Sequence, residues 1–370
     1  MSIITPEIQV LLDPIVATLK RHQIQDDKEM ALTISQLLMK VIAVARWSNI
    51  NDLIKIIRKV GVILDKAYPK NVIPGNIVRR VLALIRDEIE TTNEENQTTT
   101  NTNLNYTNIP MMSSMFSLLT TNTDNESTNI PSSQSTKKQT SELRSILIQG
   151  IKDLVDEIST VNENLETMSM DLIHDNEILL TPTPTSDTVL HFLLKARSKR
   201  KFTVLVTENY PNNLKQAQNF AKKLAENNIE TILIPDTTTY AVMSRVGKVI
   251  LGTNAVFLNG GCLSSSGVAS VVECAKEHKT PVFAVAGLYK LSPLYPFTRN
   301  DLIEVGNSGK VLNYNEHELV DNVEVVMNPL DDYIPPEHID IFITNVGGFA
   351  PSFIYRIVLD NYKTEDNNLE

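Results

Sequence analysis

The sequence predicts an α/β protein, in which an all-helical amino-terminal region precedes a mainly parallel sheet with helices on both faces. Apolar residues recur three or four positions apart through residues 6–90, whereas short apolar runs alternate with amphipathic segments after Asn176. Runs such as Thr203–Val206 lack polar alternation, which is typical of parallel strands covered on both faces. This is the doubly wound, Rossmann-like architecture, and we place the boundary between its two domains after residue 173.

The amino-terminal domain, residues 1–173, is expected to contain four short amphipathic helices before a long one. The fourth, Asn76–Ile89, follows chain breaks at prolines. None is apolar enough to stand alone, so these helices must pack on one another or on a partner. The pattern from Leu143 to Ile173 predicts a single long helix, with a coiled coil as the alternative.

Residues 91–140 interrupt this helical region with a different composition. They are rich in Asn, Thr and Ser and contain few large apolar side chains, which predicts a low-complexity, disordered insertion. Closing a loop of this length costs on the order of 3.5 kcal/mol plus a constant, so an insertion between two helices is tolerable.

The carboxy-terminal domain, residues 174–370, is predicted to alternate strands and helices. The strands are expected at 178–181, 202–207, 231–234, 248–251, 255–258, 282–286 and 339–344. The helices are expected at 187–199, 214–227, 238–245, 267–277 and 352–362.

Composition excludes several classes of protein and of site. The hydrophobic fraction of 42% and charged fraction of 21% fit a soluble globular chain, and the net charge of −10 argues against direct nucleic-acid binding. Two cysteines, Cys262 and Cys274, are too few for a disulfide framework or a zinc site, and the six histidines are scattered. We expect no metal, no cofactor, no signal peptide and no membrane span, and therefore a cytosolic protein.

One stretch, Val249–Gly267, is the natural place for a ligand, because it is predicted to run from strand through loop to helix. Ligands of open parallel sheets lie beyond the carboxyl ends of the strands, where a helix N-terminus offers free N–H groups to an anion. The candidate pocket residues are Asn254, Asn259, Gly260, Gly261 and Ser264, with Ser264–Ser266 read as a turn. The alternative is a tight turn and helix cap of the kind that any strand-to-helix connection requires.

Several longer motifs carry a family resemblance. They are Arg46-Trp-Ser-Asn49, Gly75-Asn-Ile-Val-Arg-Arg80, Tyr240-Ala-Val-Met-Ser-Arg-Val246, Gly252-Thr-Asn-Ala-Val-Phe-Leu-Asn-Gly260, Lys290-Leu-Ser-Pro293, Asp332-Tyr-Ile-Pro-Pro336 and Asn345-Val-Gly-Gly-Phe-Ala-Pro-Ser-Phe-Ile-Tyr-Arg356. Together they resemble the alpha, beta and delta regulatory-subunit family of eukaryotic translation initiation factor 2B, in particular its beta type. The resemblance covers both domains and omits the insertion.

This family is similar in fold to sugar-phosphate isomerases that act on methylthioribose 1-phosphate and ribose 1,5-bisphosphate. The resemblance places an isomerase Asp at Asn254 and an isomerase Cys in the loop Leu180–Thr185, which here contains no Cys. A positioned acid or base typically contributes 10²–10⁴-fold to a rate, and an amide cannot replace a carboxylate in proton transfer. We therefore expect no catalytic residue and no isomerase activity.

The resemblance implies a regulatory subunit of the guanine-nucleotide exchange factor for initiation factor 2. It implies pairing with a delta subunit, assembly with alpha subunits, attachment of the gamma and epsilon subunits, and exchange activity in epsilon. It also implies docking of the alpha subunit of initiation factor 2 under control of its phosphorylation. Two alternatives stay open: a sugar-phosphate isomerase with displaced catalytic groups, and a regulator that binds a sugar or nucleotide phosphate.

Aromatic side chains combined with rigid Pro and permissive Gly suit interfaces or closely packed connections. On that basis, and from the resemblance, the candidate interface or docking residues are Asn176, Arg245, Tyr333, Pro335, Pro336 and Phe349. Turns within the core of the fold are the alternative interpretation for the Tyr-Pro-Pro and Gly-Gly-Phe segments.

Overall fold

The computed structural model describes residues 5–24, 26–47, 49–98, 135–297, 302–315, 321–323 and 326–369. In the helical segments 91–98 and 135–142, only the backbone is described. Residues 99–134 of the predicted insertion lie outside the described residues, so their disorder stays a prediction. At its two ends the prediction is wrong, because residues 91–98 and 135–140 continue the neighbouring helices.

Within the described residues the amino-terminal region contains five helices, as predicted, but the fourth is longer than the predicted Asn76–Ile89. They are α1 (Pro6–Lys20), α2 (Asp27–Val44), α3 (Ile50–Ala67), α4 (Ile73–Thr98) and α5 (Ser135–Leu172). In α2 the apolar residues at helical spacing lie on the buried face, as expected; Ile34, Leu38 and Val41 are examples. Asp26 caps this helix by accepting hydrogen bonds from the backbone N–H groups of Lys28 and Glu29, which fixes the start of α2.

The carboxy-terminal region alternates strands and helices, in agreement with the predicted fold class. Its strands are β1 (Glu177–Thr181), β2 (Phe202–Thr207), β3 (Glu230–Ile234), β4 (Lys248–Gly252), β5 (Ala255–Val256), β6 (Cys262–Ser265), β7 (Val282–Val285), β8 (Asp331–Ile334), β9 (Ile341–Thr344) and β10 (Gly347–Phe349). Its helices are α6 (Asp187–Arg197), α7 (Leu214–Glu226), α8 (Thr239–Met243), α9 (Val268–His278) and α10 (Ile354–Asn361).

Seven of these strands form one twisted sheet in the order β10-β9-β7-β4-β1-β2-β3. All neighbouring pairs are parallel except β10 with β9. The carboxyl ends of β1 and β4 therefore meet at one edge of the sheet, and the chain leaves them as Thr183–Ser186 and Thr253–Asn254.

A second, antiparallel sheet of three strands, β5-β6-β8, was not predicted. The expected Ser-rich turn at Ser264–Ser266 is wrong, because Ser264 and Ser265 belong to the buried strand β6. The hydroxyl of Ser264 donates a 2.7 Å hydrogen bond to the carbonyl of Gly252, which lets a polar side chain occupy a fully buried strand position. Periodicity could not reveal this strand because its buried residues include serines.

One hydrophobic cluster continues across the predicted domain boundary. It joins buried residues of α1–α5, such as Ile57, to residues of α6, β1 and β2, such as Phe192 and Val204. A second cluster fills the other side of the main sheet, between β4, β7, α9 and α10. No helix within the described ranges is long and apolar enough to cross a membrane.

Candidate functional site at the cleft between helices and sheet

A cavity of about 870 Å³ opens where the helical region meets the carboxyl ends of the strands. The helical wall comprises the α1–α2 connection and start of α2, residues 22–30, and the α3–α4 connection, residues 68–72. The opposite wall comprises Thr183–Ser186, Gly252–Ala255 and residues of α7. We call this cavity the cleft. It lies where the fold class predicts a ligand site.

Asn254 lies in the cleft beside a carboxylate that the sequence analysis did not connect with it. Its side-chain amide donates a 2.7 Å hydrogen bond to Oδ1 of Asp331, the first residue of β8. Burial raises the pKa of Asp331 to about 6, with further contributions from the charges of Glu304 and Asp27. A carboxyl group that titrates near neutral pH therefore faces the cleft.

Lys290 forms the floor of the cleft and connects its two walls. Its ammonium group donates to the carbonyl of Thr253 at 2.7 Å and lies 2.8 Å from Oδ2 of Asp27 at the start of α2. Burial alone would lower the pKa of this lysine, but the nearby carboxylate of Asp27 raises it above its usual value. Lys290 is therefore a buried cation that is already paired within the chain.

A second polar contact joins the walls at Tyr68. Its hydroxyl donates to Oε2 of Glu304 at 3.1 Å, and the ring of His22 packs edge-on against the Tyr68 ring. Burial and the negative charge of Glu304 both raise the pKa of Tyr68. The phenol therefore remains protonated and serves as a hydrogen-bond donor at physiological pH.

The charges around the cleft do not favour a phosphate ligand. Its described lining contains six carboxylates and four lysines, and no arginine. The acidic residues are Asp26, Asp27, Asp187, Glu226, Glu304 and Asp331, and the lysines are Lys70, Lys222, Lys223 and Lys290. Because arginine forks are the preferred partners of phosphate oxygens, this lining resembles a phosphate site poorly.

The helix N-terminus that we expected to offer free N–H groups to an anion is occupied, so this expectation is wrong. Oδ2 of Asp332 accepts hydrogen bonds from the backbone N–H groups of Gly267, at 2.8 Å, and Ala269, at 3.1 Å, at the start of α9. At the start of α6, the hydroxyl of Ser186 accepts from the N–H of Val189. The starts of α9 and α6 are therefore capped within the chain, whereas α7, whose start also lines the cleft, has no side-chain cap.

Of the five predicted pocket residues, only Asn254 lines the cleft; the other four make contacts within the fold. Asn259 donates its amide to the Tyr333 hydroxyl at 2.8 Å and accepts from the N–H of Gly261 at 3.0 Å. Gly260 has a φ of 78°, and a Cβ there would collide with the carbonyl of Pro351. Asn259–Gly261 is thus a tight turn, as in the alternative interpretation.

The six predicted interface residues fall in three places. Asn176 and Arg245 are exposed and precede the neighbouring strands β1 and β4, at the amino end of the sheet. Tyr333 faces inward, with its ring beside Phe257 and its hydroxyl bonded to Asn259. Pro335 and Pro336 are half-buried after β8.

Phe349, the sixth, lies on the edge strand β10 and stacks on Phe353, with ring centroids 5.5 Å apart. The guanidinium group of Arg356 lies over the Phe353 ring, with its carbon atom 5.8 Å from the ring centroid. Tyr355 and Leu359 extend this area along α10 and are 53% and 41% exposed. We call these five residues the α10 surface.

The cleft residues that sequence reasoning missed are Asp27, Tyr68, Lys290, Glu304 and Asp331. They come from distant parts of the chain and lie together only after folding. Lys290 occurs in one of the motifs that carried the resemblance, but no spacing rule assigned it a role. The sequence signal that could have indicated acidic groups at this site is the pair Asp331 and Asp332, which directly precedes the apolar pair Tyr333 and Ile334.

No cysteine lines the described part of the cleft. Cys262 is buried in β6, where burial raises the pKa of its thiol, and Cys274 lies on α9. In the loop after β1, Thr183 accepts from the N–H of Gly252 at 2.8 Å. No set of three or more His, Cys, Asp or Glu side chains in the described ranges is placed to hold a metal ion.

Comparison with known proteins identifies relatives over most of the chain. A family model described as the initiation factor 2 subunit family matches residues 23–351. Translation initiation factor eIF2B subunit beta of Schizosaccharomyces pombe is 38% identical over 380 aligned residues, which cover 96% of each chain. The ribose 1,5-bisphosphate isomerase of Thermococcus kodakarensis is 25% identical and aligns with 62% of this chain and 70% of its own length.

Solved structures show the same architecture. The crystal structure of eIF2B beta from Chaetomium thermophilum superposes with a TM-score of 0.70 at 29% identity and covers 99% of this chain and 95% of its own. A chain of the tetrameric eIF2B-beta2-delta2 complex from the same organism superposes with a TM-score of 0.69 at 29% identity, and covers 96% of this chain and 95% of its own. These matches confirm the predicted fold class and the family resemblance.

Proposed function

Because the chain belongs to the initiation factor 2 subunit family, we propose that it is a non-catalytic regulatory subunit of the guanine-nucleotide exchange complex for translation initiation factor 2. The nearly full-length match to the beta subunit of Schizosaccharomyces pombe supports this assignment. In this role the chain organises partner proteins and performs no chemistry of its own. Exchange activity belongs to another subunit, and the complex works in the cytosol.

Among the described residues, the cleft lacks the two groups that the resemblance assigns to isomerase catalysis, and this supports a non-catalytic role. The position at which the resemblance places the isomerase carboxylate is Asn254, and no cysteine lines the cavity. Asp331 holds a carboxylate nearby, but Asn254 occupies its Oδ1. An isomerase needs an acid and a base to move a proton between two carbon atoms of the sugar. The described part of the cleft has no thiol and no free carboxylate in the positions that this transfer requires.

We propose that the chain functions by binding the other subunits of the complex. Because a relative 29% identical to this chain occurs in a beta2-delta2 tetramer, we assign this chain a delta-type partner. The alpha, gamma and epsilon subunits are proposed as further partners from the family resemblance alone. The α10 surface is the best candidate contact, because it joins the predicted residue Phe349 to exposed aromatic and aliphatic side chains at a sheet edge. Asn176 and Arg245 form a second, polar candidate at the amino end of the strands.

Docking of the alpha subunit of initiation factor 2, under control of its phosphorylation, is the regulatory part of the proposal. It follows from family membership, and the docking surface is not assigned to particular residues. The net charge of −10 fits a protein whose partners are other proteins rather than nucleic acid.

A pull-down of the tagged chain from its own cells, followed by identification of the co-purifying chains, tests the assignment. We expect the alpha, delta, gamma and epsilon subunits in near-equal amounts, and no conversion of ribose 1,5-bisphosphate by the purified material. A chain that purifies alone and converts this sugar phosphate, with the activity lost in Asn254→Ala, would support the isomerase alternative instead.

The cavity volume of about 870 Å³ keeps a ligand-binding role as a second candidate. Its acidic lining and the occupied start of α9 speak against sugar and nucleotide phosphates as the ligand. Asn254, Asp331 and the threonines of the loop after β1 are among the polar groups that such a ligand would contact.

A further inference from the structure

The last eight described residues, Tyr362–Leu369, leave the α/β domain and pack on the helical domain. Tyr362 belongs to the hydrophobic cluster of the sheet and α10, whereas Leu369 belongs to the cluster of the helical region. A Cβ on Gly61 of α3 would approach the Leu369 side chain, so the segment ends directly against α3. We call residues 362–369 the strap.

Asp366 is the anchor of the strap. Its side chain is 1% exposed and lies between two arginines. Oδ1 accepts from Nε of Arg58 at 3.0 Å and from its NH2 group at 2.6 Å, and Oδ2 accepts from Nε of Arg86 at 2.6 Å. Burial raises the pKa of Asp366, but hydrogen bonds from Arg86 and Arg58 outweigh burial and lower it.

Further contacts tie the strap to the same two helices. Nε of Arg79 donates to the carbonyl of Asn367 at 3.2 Å, and the Arg58 side chain also donates to the carbonyl of Glu365 at 2.7 Å. The ammonium group of Lys363 lies 2.7 Å from Oδ1 of Asp87 on α4. Contacts between side chains, or between side chains and carbonyls, hold the strap, and it adds no strand to either sheet.

The other end of the strap reaches the floor of the cleft. The hydroxyl of Tyr362 donates to the carbonyl of Leu291 at 2.7 Å. Leu291 follows Lys290, whose ammonium group joins Thr253 in the sheet domain to Asp27 in the helical domain. The neighbouring residues Lys290 and Leu291 therefore make both contacts: Leu291 binds Tyr362 of the strap, and Lys290 joins the two walls of the cleft.

We propose that the strap is a releasable lock that fixes the helical domain against the α/β domain and thereby sets the width of the cleft. Asp366 locks it by engaging one arginine from α3 and one from α4. Loss of the Asp366 contacts leaves the shared hydrophobic cluster and the Lys290–Asp27 contact to hold the two parts together, so the cleft samples a wider range of widths. This device is independent of the proposed assembly function, because all its contacts lie within one chain.

The distance across the cleft tests this proposal in the full chain. Spin labels at Lys20→Cys and Lys222→Cys, in a Cys262→Ala/Cys274→Ser background, report the separation of the exposed ends of α1 and α7. The unaltered strap should give one narrow distance distribution. Asp366→Asn should broaden and shift it, whereas Asp360→Asn, at an exposed position on α10, should leave it unchanged.

Hydrogen exchange separates release of the strap from loss of the fold. In Asp366→Asn, the amides of residues 366 and 367, which donate to the carbonyls of Lys363 and Thr364, should exchange about a hundredfold faster, while amides of β1, β4 and β7 keep their protection. Asp366→Glu, which keeps the charge, should recover part of the protection. Deletion of residues 364–370 serves as a second variant if Asp366→Asn folds poorly. A narrow, unshifted distance distribution in a folded Asp366→Asn or deletion variant would overturn the proposal.

Discussion

The side-chain amide of Asn254 donates a 2.7 Å hydrogen bond to the carboxylate of Asp331, and the two residues face the same cleft. The carboxylate that the resemblance assigns to position 254 in isomerases is absent, yet a carboxylate of different origin lies next to that position. Its amide partner keeps Asp331 oriented, and burial raises its pKa to about 6. This relationship decides how the cleft responds to pH.

Asp331→Asn should stabilise the protein above pH 6. The native state holds the Asp331 proton more tightly than the unfolded chain, since its pKa rises from 3.8 to about 6. The stability this carboxyl contributes is therefore complete below pH 4 and is lost as pH rises through 6. We expect the variant to gain up to about 3 kcal/mol in the free energy of unfolding at pH 7, and nothing at pH 3.5.

Urea denaturation at pH 3.5, 5 and 7 measures this difference. Asp360→Asn, at an exposed position of α10, is the matched control and should change neither value. A variant that is less stable than the original chain at pH 7 would mean that the ionised carboxylate is net stabilising, contrary to the burial argument.

Asp332→Ala should destabilise the protein through loss of a helix cap. Asp332 accepts from the N–H groups of Gly267 and Ala269, and removal of such a cap typically costs about 1 kcal/mol. Chemical denaturation at pH 7 gives the magnitude. Hydrogen exchange should show faster exchange confined to the first turn of α9. Uniform acceleration throughout the domain would contradict a local capping role.

Gly260→Ala and Gly267→Ala form a matched pair, because both glycines have positive φ angles, 78° and 92°. An added Cβ at Gly267 meets no atom within 4 Å, so this change should cost about 1 kcal/mol from backbone strain alone. At Gly260 the Cβ would strike the Pro351 carbonyl, so a further cost of about 1–3 kcal/mol is expected. Equal decreases in melting temperature for the two variants would show that the backbone at Pro351 moves aside at no cost, contrary to this prediction.

Sugar and nucleotide phosphates should not stabilise the protein. A ligand present at 100 times its dissociation constant adds about 2.7 kcal/mol to the free energy of unfolding, which a thermal shift readily detects. We expect an unchanged melting temperature with millimolar ribose 1,5-bisphosphate or AMP, with an isomerase relative as the positive control. A shift that disappears in Asn254→Ala would establish a phosphate site in the cleft and contradict our interpretation of its charges.

The fold was largely predictable because its signals are local. The spacing of Ile34, Leu38 and Val41 is sufficient for α2, and the apolar run in Thr203–Val206 is sufficient for β2. The strand β6 was missed because Ser264 and Ser265 owe their burial to tertiary contacts, including the Ser264 bond to the carbonyl of Gly252. Single-sequence patterns carry no information about such contacts.

The cleft was only partly predictable for a related reason. Asn254 was identified from a strand end, but its partner Asp331 is 77 residues away along the chain. The contact between Lys290 and Asp27 likewise joins the α/β region to the amino-terminal helices. The predicted anion site at the start of α9 failed because Asp332 on β8 fills it, and no spacing rule places β8 beside α9.

Whether this chain works as an assembly subunit is tested most directly by size-exclusion chromatography with light scattering on a co-expressed pair. Co-expressed with a delta-type subunit, the chain should elute as a complex with equal amounts of both. Leu359→Asp on the α10 surface should weaken that complex, whereas Val10→Asp, at a 73% exposed position on α1, should not. A stable, monodisperse monomer that elutes apart from the delta-type subunit would contradict the account.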